Sequence, residues 1–294
     1  MAGAAGVDVV HAPTLLAPTA VAVPLVVTVH DAVPWTHPET LTARGVRWHR
    51  AMAARVAARA DAVVVPTRAV ADALAEHLPL RRVEVIGEGV SADLAPPADV
   101  AARARRMGLP EEGFLLSLAT LEPRKGLDVL IRALSEDTAP RLPLLVVGQP
   151  GWGGIDPAAM AAAEGLAPGR VRVLGRLSDA DLATALARAT ALVVPSRAEG
   201  FGLPVLEAMH AGTPVVCSAD PALAEVGGDA VRITPVGDAR ALAAGLAEVA
   251  CDADLRSGMA ERGRRRAAGY TWERAASALW DLYGSLTSSS RPSR

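Results

Sequence analysis

ALVVPSRAEGFGLPVLEAMHAGTPVVC, residues 191–217, reads as strand, loop, helix, strand. ALVV (191–194) and PVVC (214–217) are short apolar runs without alternation. That is how strands buried on both faces of a parallel sheet read. Between them lies the loop PSRAEGFG and then a helix. Pro204 suits the first helical position, because its missing N–H would be unsatisfied there anyway. Glu207 is then expected in the first turn. Gly200 and Gly202 let backbone approach a ligand closely. Free N–H groups at such a helix start face an anion at the carboxyl end of the preceding strand. Two acids, Glu199 and Glu207, flank this turn. The residues alone leave both readings open: a ligand site, or a loop acid plus a helix-dipole partner contributing about 0.3–1 kcal/mol.

The same alternation runs along the chain. Further strands are expected at DVVH (8–11), LVVTV (25–29), AVVV (62–65), VEVI (83–86), FLLSLA (114–119), LLVVG (144–148), VRVL (171–174) and AVRI (230–233). Helical Ala/Leu/Arg patterns sit between most of them, so the class is α/β and doubly wound. A Pro-rich boundary falls at SADLAPPADV (91–100). The expected organisation is a partial first lobe over 1–95, a complete Rossmann-like lobe over 96–270, a helix over 271–287 packing back toward the first lobe, and a disordered polar tail over 288–294.

Composition excludes several classes. A net charge of −2 provides no general attraction for nucleic acid, and nine aromatic residues supply no stacking platform for bases. Two isolated cysteines, Cys217 and Cys251, make no zinc pattern and fit a reducing compartment. The opening MAGAAGVDVVHAP shows no basic segment followed by an apolar one, and no apolar run reaches a bilayer's width. The expected location is the cytoplasm, at the inner face of the plasma membrane.

Three further stretches bear on chemistry. In SLATLEPRKGLDVLIRAL (117–134), Arg124 and Lys125 lie between a strand and an amphipathic helix. A guanidinium fork beside a compact ammonium suits a diphosphate, although any solvated loop carries such pairs. In VTVHDAVP (27–34), His30 and Asp31 follow a strand as a neutral imidazole and its orienting acid, or as an ordinary capped histidine. GQPGWGG (148–154) fails the G-x-G-x-x-G spacing, and no acid follows at the required distance, which disfavours a nicotinamide cofactor. Arginines at 44, 47, 50, 55 and 59 share a helical stretch with Trp48 and Met52, as a solvated face or a face toward anionic lipid or acceptor. Arg262, Arg264, Arg265 and Arg266 read as a solvated face.

Taken together, these loops resemble the retaining nucleotide-sugar glycosyltransferases of family 4, which have the GT-B fold of two Rossmann-like lobes with a cleft between them. The E-x7-E pattern is matched by Glu199 and Glu207, and PSRAEGFGLPVLEAMHAGTPVV agrees almost position for position. TLEPRKGLDVLIRAL, VLGRLSDADLATALARATALVVPS, ADPALAEVGGDAVRITP and YTWERAASALWDLY are similar to the family's other segments, so the resemblance covers nearly all of 7–285. The EPRK and GWGG stretches look most like the polysaccharide mannosyltransferase subgroup.

The resemblance implies transfer of a hexose from a nucleotide-diphosphate sugar, GDP-mannose in that subgroup, to a glycan or lipid-linked acceptor. It implies retention of configuration, with no cofactor and no metal; peripheral membrane contact is the expectation carried by the arginines of 44–59. Glu207 is implied to hold the ribose hydroxyls and Glu199 to lie beside the donor sugar. Phe201, Gly202 and Leu203 would present backbone to sugar and phosphates. Arg124 and Lys125 would neutralise the leaving diphosphate, Arg176 and Leu177 would lie near the base, and His30 would face the sugar from the other lobe. Two departures stand out. Family members carry a further strand and a Gly-rich loop upstream, whereas 29 residues precede His30 here, so the first lobe is expected to be incomplete. Ala119 occupies a position that is often glycine. The alternatives are a weak or inactive GT-B remnant that binds nucleotide sugar or a partner, and another GT-B enzyme such as a phosphorylase. The latter would need a pyridoxal lysine, and Lys125 is the only lysine in the chain.

Overall fold

The computed structural model describes residues 6–289. It divides into two compact units. The first comprises the chain up to Gly89, the tripeptide Glu199–Phe201 and the chain from Thr271 onward; the second comprises Val90–Ala198 and Gly202–Tyr270.

The first unit holds β1 (Val10–Ala12), β2 (Leu25–Thr28), α1 (Val33–Thr36), α2 (Ala43–Arg59), β3 (Ala62–Val65), α3 (Arg68–Ala75) and β4 (Val83–Val85). Its four strands are all parallel and lie in chain order, β1-β2-β3-β4, with Val26 opposite Ala62 and Val63 opposite Val83. Among the described residues this sheet winds in one direction only. Threonines cap α2 and α3: Thr42 accepts from Gly45 N–H and Thr67 from Val70 N–H. One sheet face is covered by Val56, Val70 and Leu74, all buried.

The second unit begins with α4 (Val100–Arg106) and then alternates. β5 (Leu115–Leu118), α5 (Leu127–Ser135), β6 (Leu144–Val147), α6 (Pro157–Ala163), β7 (Val171–Gly175) and α7 (Asp179–Arg188) form its first half. β8 (Ala191–Val194), α8 (Leu203–Ala211), β9 (Val215–Ser218), α9 (Pro221–Gly227), β10 (Arg232–Thr234), α10 (Ala239–Cys251) and α11 (Ala253–Ala267) form the second. The six strands are parallel, in the order β10-β9-β8-β5-β6-β7. Winding starts at β5, runs outward to β7, returns to β8 on the other side of β5, and runs outward again. Such a reversal opens a crevice at the strands' carboxyl ends between the two starting strands, here β5 and β8. Leu130, Leu144, Val193 and Leu246 are buried in the core on one side of this sheet. Each is expected to contribute about 1.5–3 kcal/mol through burial.

The last helix, α12 (Trp272–Ser289), belongs to the first unit. Leu282 and Leu286 pack on Val26, Ala62 and Val64, the sheet face opposite α3. Tyr283 hydroxyl meets His11 Nδ1 at 2.5 Å, and His11 Nε2 meets Thr28 Oγ1 at 2.8 Å. Burial holds the His11 pKa below its usual value. Of the polar tail, Ser288 and Ser289 end this helix, and 290–294 lie outside the described residues.

Of the four arginines at the end of α11, Arg264 and Arg265 are exposed as their sequence suggests, but Arg262 and Arg266 are spent on backbone carbonyls. Arg266 donates to the carbonyls of Glu225 and Val226, both at 2.6 Å, and Arg262 donates to Asp229 O. They satisfy carbonyls at the end of α9, where cations are favoured. Consecutive arginines on a helix point in different directions, so a charge run alone does not show which ones are spent on structure.

Candidate active site

Two loops meet at the reversal of the second sheet. The first leaves β5 as Ala119–Glu122, makes a 3-10 turn over Pro123–Lys125 and enters α5 through Gly126, whose φ is 67°. The second leaves β8 as Pro195–Ala198 and, within this unit, resumes at Gly202 to start α8. Arg197 N–H donates to Arg124 O at 2.8 Å. The Arg197 guanidinium donates to both carboxylate oxygens of Asp128, at 2.8 and 2.5 Å, and to Pro123 O at 2.8 Å. Burial alone would raise the Asp128 pKa, but the Arg197 hydrogen bonds and charge, with Arg132 beside them, hold it below the usual carboxylate value. A Cβ on Gly126 would lie 2.1 Å from Pro195 O, so the loops touch backbone to backbone. Ser218, one strand further out, donates from its hydroxyl to Ser196 O at 2.6 Å.

Arg124 sits inside this clamp. Its Nη1 donates to Ala198 O at 2.9 Å, and its Nε and Nη2 donate to Glu122 Oε1 at 3.2 and 2.9 Å. The guanidinium is therefore aimed before any ligand arrives, and an incoming anion would compete with Glu122 for it. Lys125 follows at the end of the turn and is half-buried.

The helix starts add positive potential. α6, α7, α9 and α10 each follow a strand, and each is capped by a side chain: Asp156, Ser178, Asp220 and Asp238. α5 and α8, the two at the reversal, are entered through glycine and have no capping side chain. Uncapped N–H groups and the positive ends of two helix dipoles thus converge beside Arg124 and Lys125, an arrangement suited to an anion.

Glu207 differs in place from the expectation. α8 starts at Leu203, so Pro204 is its second residue and Glu207 its fifth, beyond the first turn. The helix starts one residue early because Gly202, at φ 96°, closes the loop there in the left-handed region. The helix-dipole reading of Glu207 thereby loses its ground, since that effect fades within the first turn. Glu207 is half-buried, and burial, with Asp179 as a nearby like charge, pushes its pKa above the usual value. No hydrogen bond reaches its carboxylate among the described residues. Arg176 and Leu177 leave the carboxyl end of β7, two strands from β5, with Arg176 exposed.

His30, Glu199 and Phe201 belong to the first unit. Thr67 Oγ1 donates to Gly200 O at 2.9 Å, and a Cβ on Gly200 would lie 1.8 Å from His30 O. His30 Nε2 donates to Pro13 O at 2.9 Å, while its Nδ1 faces Glu88 Oε1 at 3.6 Å. Glu88 first, by hydrogen bonding, raises the His30 pKa against the opposing effect of burial. The expected orientation of this imidazole by Asp31 is corrected. Neighbours along an extended chain point to opposite sides, and Asp31 Oδ1 instead accepts Val33 N–H at 3.1 Å.

Sequence reading also missed Glu88, Glu122, Asp128 and Arg197. Arg197 stood in the quoted stretch, but nothing in one sequence pairs it with an acid 69 positions away. The glycines of GQPGWGG find their reason here. A Cβ on Gly148 would lie 1.8 Å from Ala119 O, one on Gly151 2.8 Å from Leu121 O, and one on Gly153 2.7 Å from Pro123. They let the loop after β6 lie directly on the loop after β5. The Cys217 thiol is buried and its pKa is pushed up to about 12, which removes it as a nucleophile. No three His, Cys, Asp or Glu side chains cluster as metal ligands among the described residues.

Comparison with known proteins supplies the family. The sequence profile described as Glycosyl transferases group 1 matches residues 102–266, and that of Glycosyltransferase Family 4 matches 2–94. The chain belongs to the group 1 glycosyl transferases. It is 37% identical over 143 residues to the O-antigen chain mannosyltransferase B of Escherichia coli, covering 49% of this chain and 37% of that protein. It is 36% identical over 122 residues to the phosphatidyl-myo-inositol mannosyltransferase of Mycolicibacterium smegmatis, covering 40% and 32%. The matched stretches thus span about a third of the length of these relatives. Sucrose-phosphate synthase from Thermosynechococcus elongatus superposes with a TM-score of 0.81 at 23% identity, over 97% of this chain and 75% of that one. Anabaena HepE in complex with UDP and glucose gives 0.76 at 23% identity, over 90% and 72%. At such identities the likeness concerns the fold, which in this group 1 chain is that of the GT-B glycosyltransferases: two Rossmann-like lobes with parallel sheets. No helix among the described residues is long and apolar enough to cross a membrane.

Proposed function

We propose that this chain transfers a hexose from a nucleotide-diphosphate sugar to a glycan or lipid-linked acceptor, with retention of configuration. One observation carries the reading: α5 and α8 start without capping side chains at the sheet reversal, beside Arg124 and Lys125. The diphosphate would lie against these N–H groups and cations. The Glu207 carboxylate would accept from the ribose hydroxyls, partners it lacks among the described residues. Arg176 and Leu177 would lie toward the base, with Phe201, Gly202 and Leu203 presenting backbone to the donor. Glu199 and His30 would face the sugar.

In the transfer, the bond from the anomeric carbon to the phosphate oxygen breaks and a bond to the acceptor oxygen forms on the same face. The acceptor's proton passes to the departing phosphate. Charge grows on the diphosphate in the transition state, which is where preorganised donors act. The two helix starts and the two cations take the part a divalent metal plays in other sites. Mannose, carried by GDP, is the preferred donor, supported by the mannosyltransferases among the relatives. Family membership does not favour a binding-only remnant.

The test is a panel of GDP-mannose, UDP-glucose and UDP-N-acetylglucosamine with octyl glycoside acceptors, with and without chelator. Released nucleoside diphosphate and the product's anomeric proton coupling are read. An α-linked product from an α-linked donor, unchanged by chelator, is expected. Failure of every nucleotide sugar to bind would overturn the reading.

A further inference from the structure

Two arginine–carboxylate pairs stand at the sheet reversal, and they are built differently. Arg197 meets Asp128 as a fork: Nη1 donates to Oδ1 at 2.8 Å and Nη2 to Oδ2 at 2.5 Å. Two parallel bonds between planar groups are the strong and geometrically specific form of this contact. Arg124 meets Glu122 in another way. Its Nε and Nη2 both converge on Oε1, at 3.2 and 2.9 Å. No hydrogen bond reaches Oε2 among the described residues.

The backbone between the second pair is rigid. Glu122 is extended, at φ −137° and ψ 154°, as a residue before proline should be. Lys125 N–H donates to Glu122 O at 3.1 Å, and Gly126 N–H donates to Pro123 O at 3.3 Å. Arg197 Nη1 also donates to Pro123 O. The turn fixes where both side chains start, and what they reach from there is the convergent contact. The side chains of Arg124 and Glu122 are only 19% and 18% exposed, so solvent weakens their charges little. A phosphate presents two oxygens to a guanidinium and so can take the fork that Glu122 does not.

Transfer changes the charge that this pair meets. In the donor the sugar caps the outer phosphate, which carries one negative charge. After transfer that phosphate is free, and a second ionisation near pH 6 adds roughly one more charge at pH 7. Arg124, Lys125 and the uncapped starts of α5 and α8 therefore attract the product more strongly than the donor. Glu122 acts in the opposite sense. Displaced from Arg124 but tethered by the rigid turn, its carboxylate stays well within a Debye length of about 8 Å from any anion on that guanidinium.

We propose that Glu122 is a positioning residue for product release: it aims Arg124 in the empty site, yields the guanidinium to the donor's diphosphate, and then repels the more highly charged nucleoside diphosphate. The inference rests on the transfer reading for naming the anion. The exchange of Glu122 for a diphosphate at Arg124 does not depend on it.

The test is isothermal titration of the full chain as wild type, Glu122→Gln and Glu122→Ala. The probes are GDP, UDP, GDP-mannose, UDP-glucose and pyrophosphate, and thermal melts verify folding. Gln keeps an oxygen for Arg124 and removes the charge. Glu122→Gln is expected to bind its nucleoside diphosphate at least tenfold tighter than wild type, and the matching nucleotide sugar no more than threefold tighter. Glu122→Ala should also tighten the diphosphate, by less, because Arg124 then loses its aim. A residue that merely braces the loop would weaken both ligands or neither on substitution. Equal or weaker binding of the diphosphate by Glu122→Gln overturns the proposal, as does an equal gain for diphosphate and nucleotide sugar. Pyrophosphate separates the two readings. If wild type binds a nucleoside diphosphate and Glu122→Gln binds it no tighter, the Glu122 inference falls and the transfer reading stands. If no nucleotide binds but Glu122→Gln holds pyrophosphate at least tenfold tighter than wild type, the transfer reading falls and the exchange at Arg124 stands. If no diphosphate binds any of the three proteins, both fall.

Discussion

Glu207→Gln is expected to move ligand affinity and ligand-free stability in opposite directions. The carboxylate is half-buried, has no hydrogen-bond partner within the described chain, and has a pKa raised by burial and by Asp179. A folded-state pKa above the unfolded one means that the protonated form is favoured on folding. Its contribution to stability is fully present below the unfolded value, near 4.5, and is lost as pH rises through the folded value. At pH 7 the ionised group therefore costs stability, and neutral Gln, of nearly the same shape, relieves that cost. The ligand-free variant should melt at or above the wild-type temperature at pH 7, and the gap should close in acid. Binding should change the other way. A hydrogen bond to a charged group contributes about 1.5–3 kcal/mol. Losing the charged acceptor for the ribose diol should weaken nucleoside diphosphate about 10- to 150-fold. Calorimetric titration and a thermal melt on the same sample read both. An unchanged Kd would refute the ribose assignment. A melting temperature several degrees lower would refute the claim that this carboxylate is unpartnered and show it to be structural.

Further outcomes are open to direct measurement. Arg124→Ala with Lys125→Ala should lower kcat more than donor affinity, because the charge they meet grows in the transition state; equal losses would mean uniform binding instead. Arg197→Met should cost about 1–2 kcal/mol in urea unfolding, discounted for the partial exposure of the pair. Because the Asp128 pKa is depressed, that contribution is present above the unfolded value near 4 and disappears in acid, so the two proteins should converge at low pH. Gly148→Ala should be severe, about 2 kcal/mol or more, since its Cβ would meet backbone at 1.8 Å. Gly154→Ala, with φ 66° and no atom within 4 Å of the new Cβ, should cost only about 1 kcal/mol of backbone strain. Glu88→Gln should lower the His30 pKa read by NMR; an unchanged value would reject Glu88 as its partner.

By itself the sequence determined a great deal about this protein. All ten strands among the described residues were legible: the central ones, buried on both faces, are short unbroken apolar runs, and the half-buried β4 and β7 still show β-branched residues between Ala-rich helices. The turn chemistry of Gly202 and Pro204 was legible because it is a local requirement met by local residues. Only the tertiary structure decided which strands became neighbours. Putting β8 beside β5 brings Arg197 to Asp128, leaves two helix starts uncapped at one point, and gives the glycines of GQPGWGG a backbone to lie against. It also exchanged the partner of His30 from Asp31 to Glu88 and moved Glu207 out of the first turn. Those are relations between residues far apart in the chain, set by strand order and by exact helix starts. No spacing rule along a single sequence encodes them.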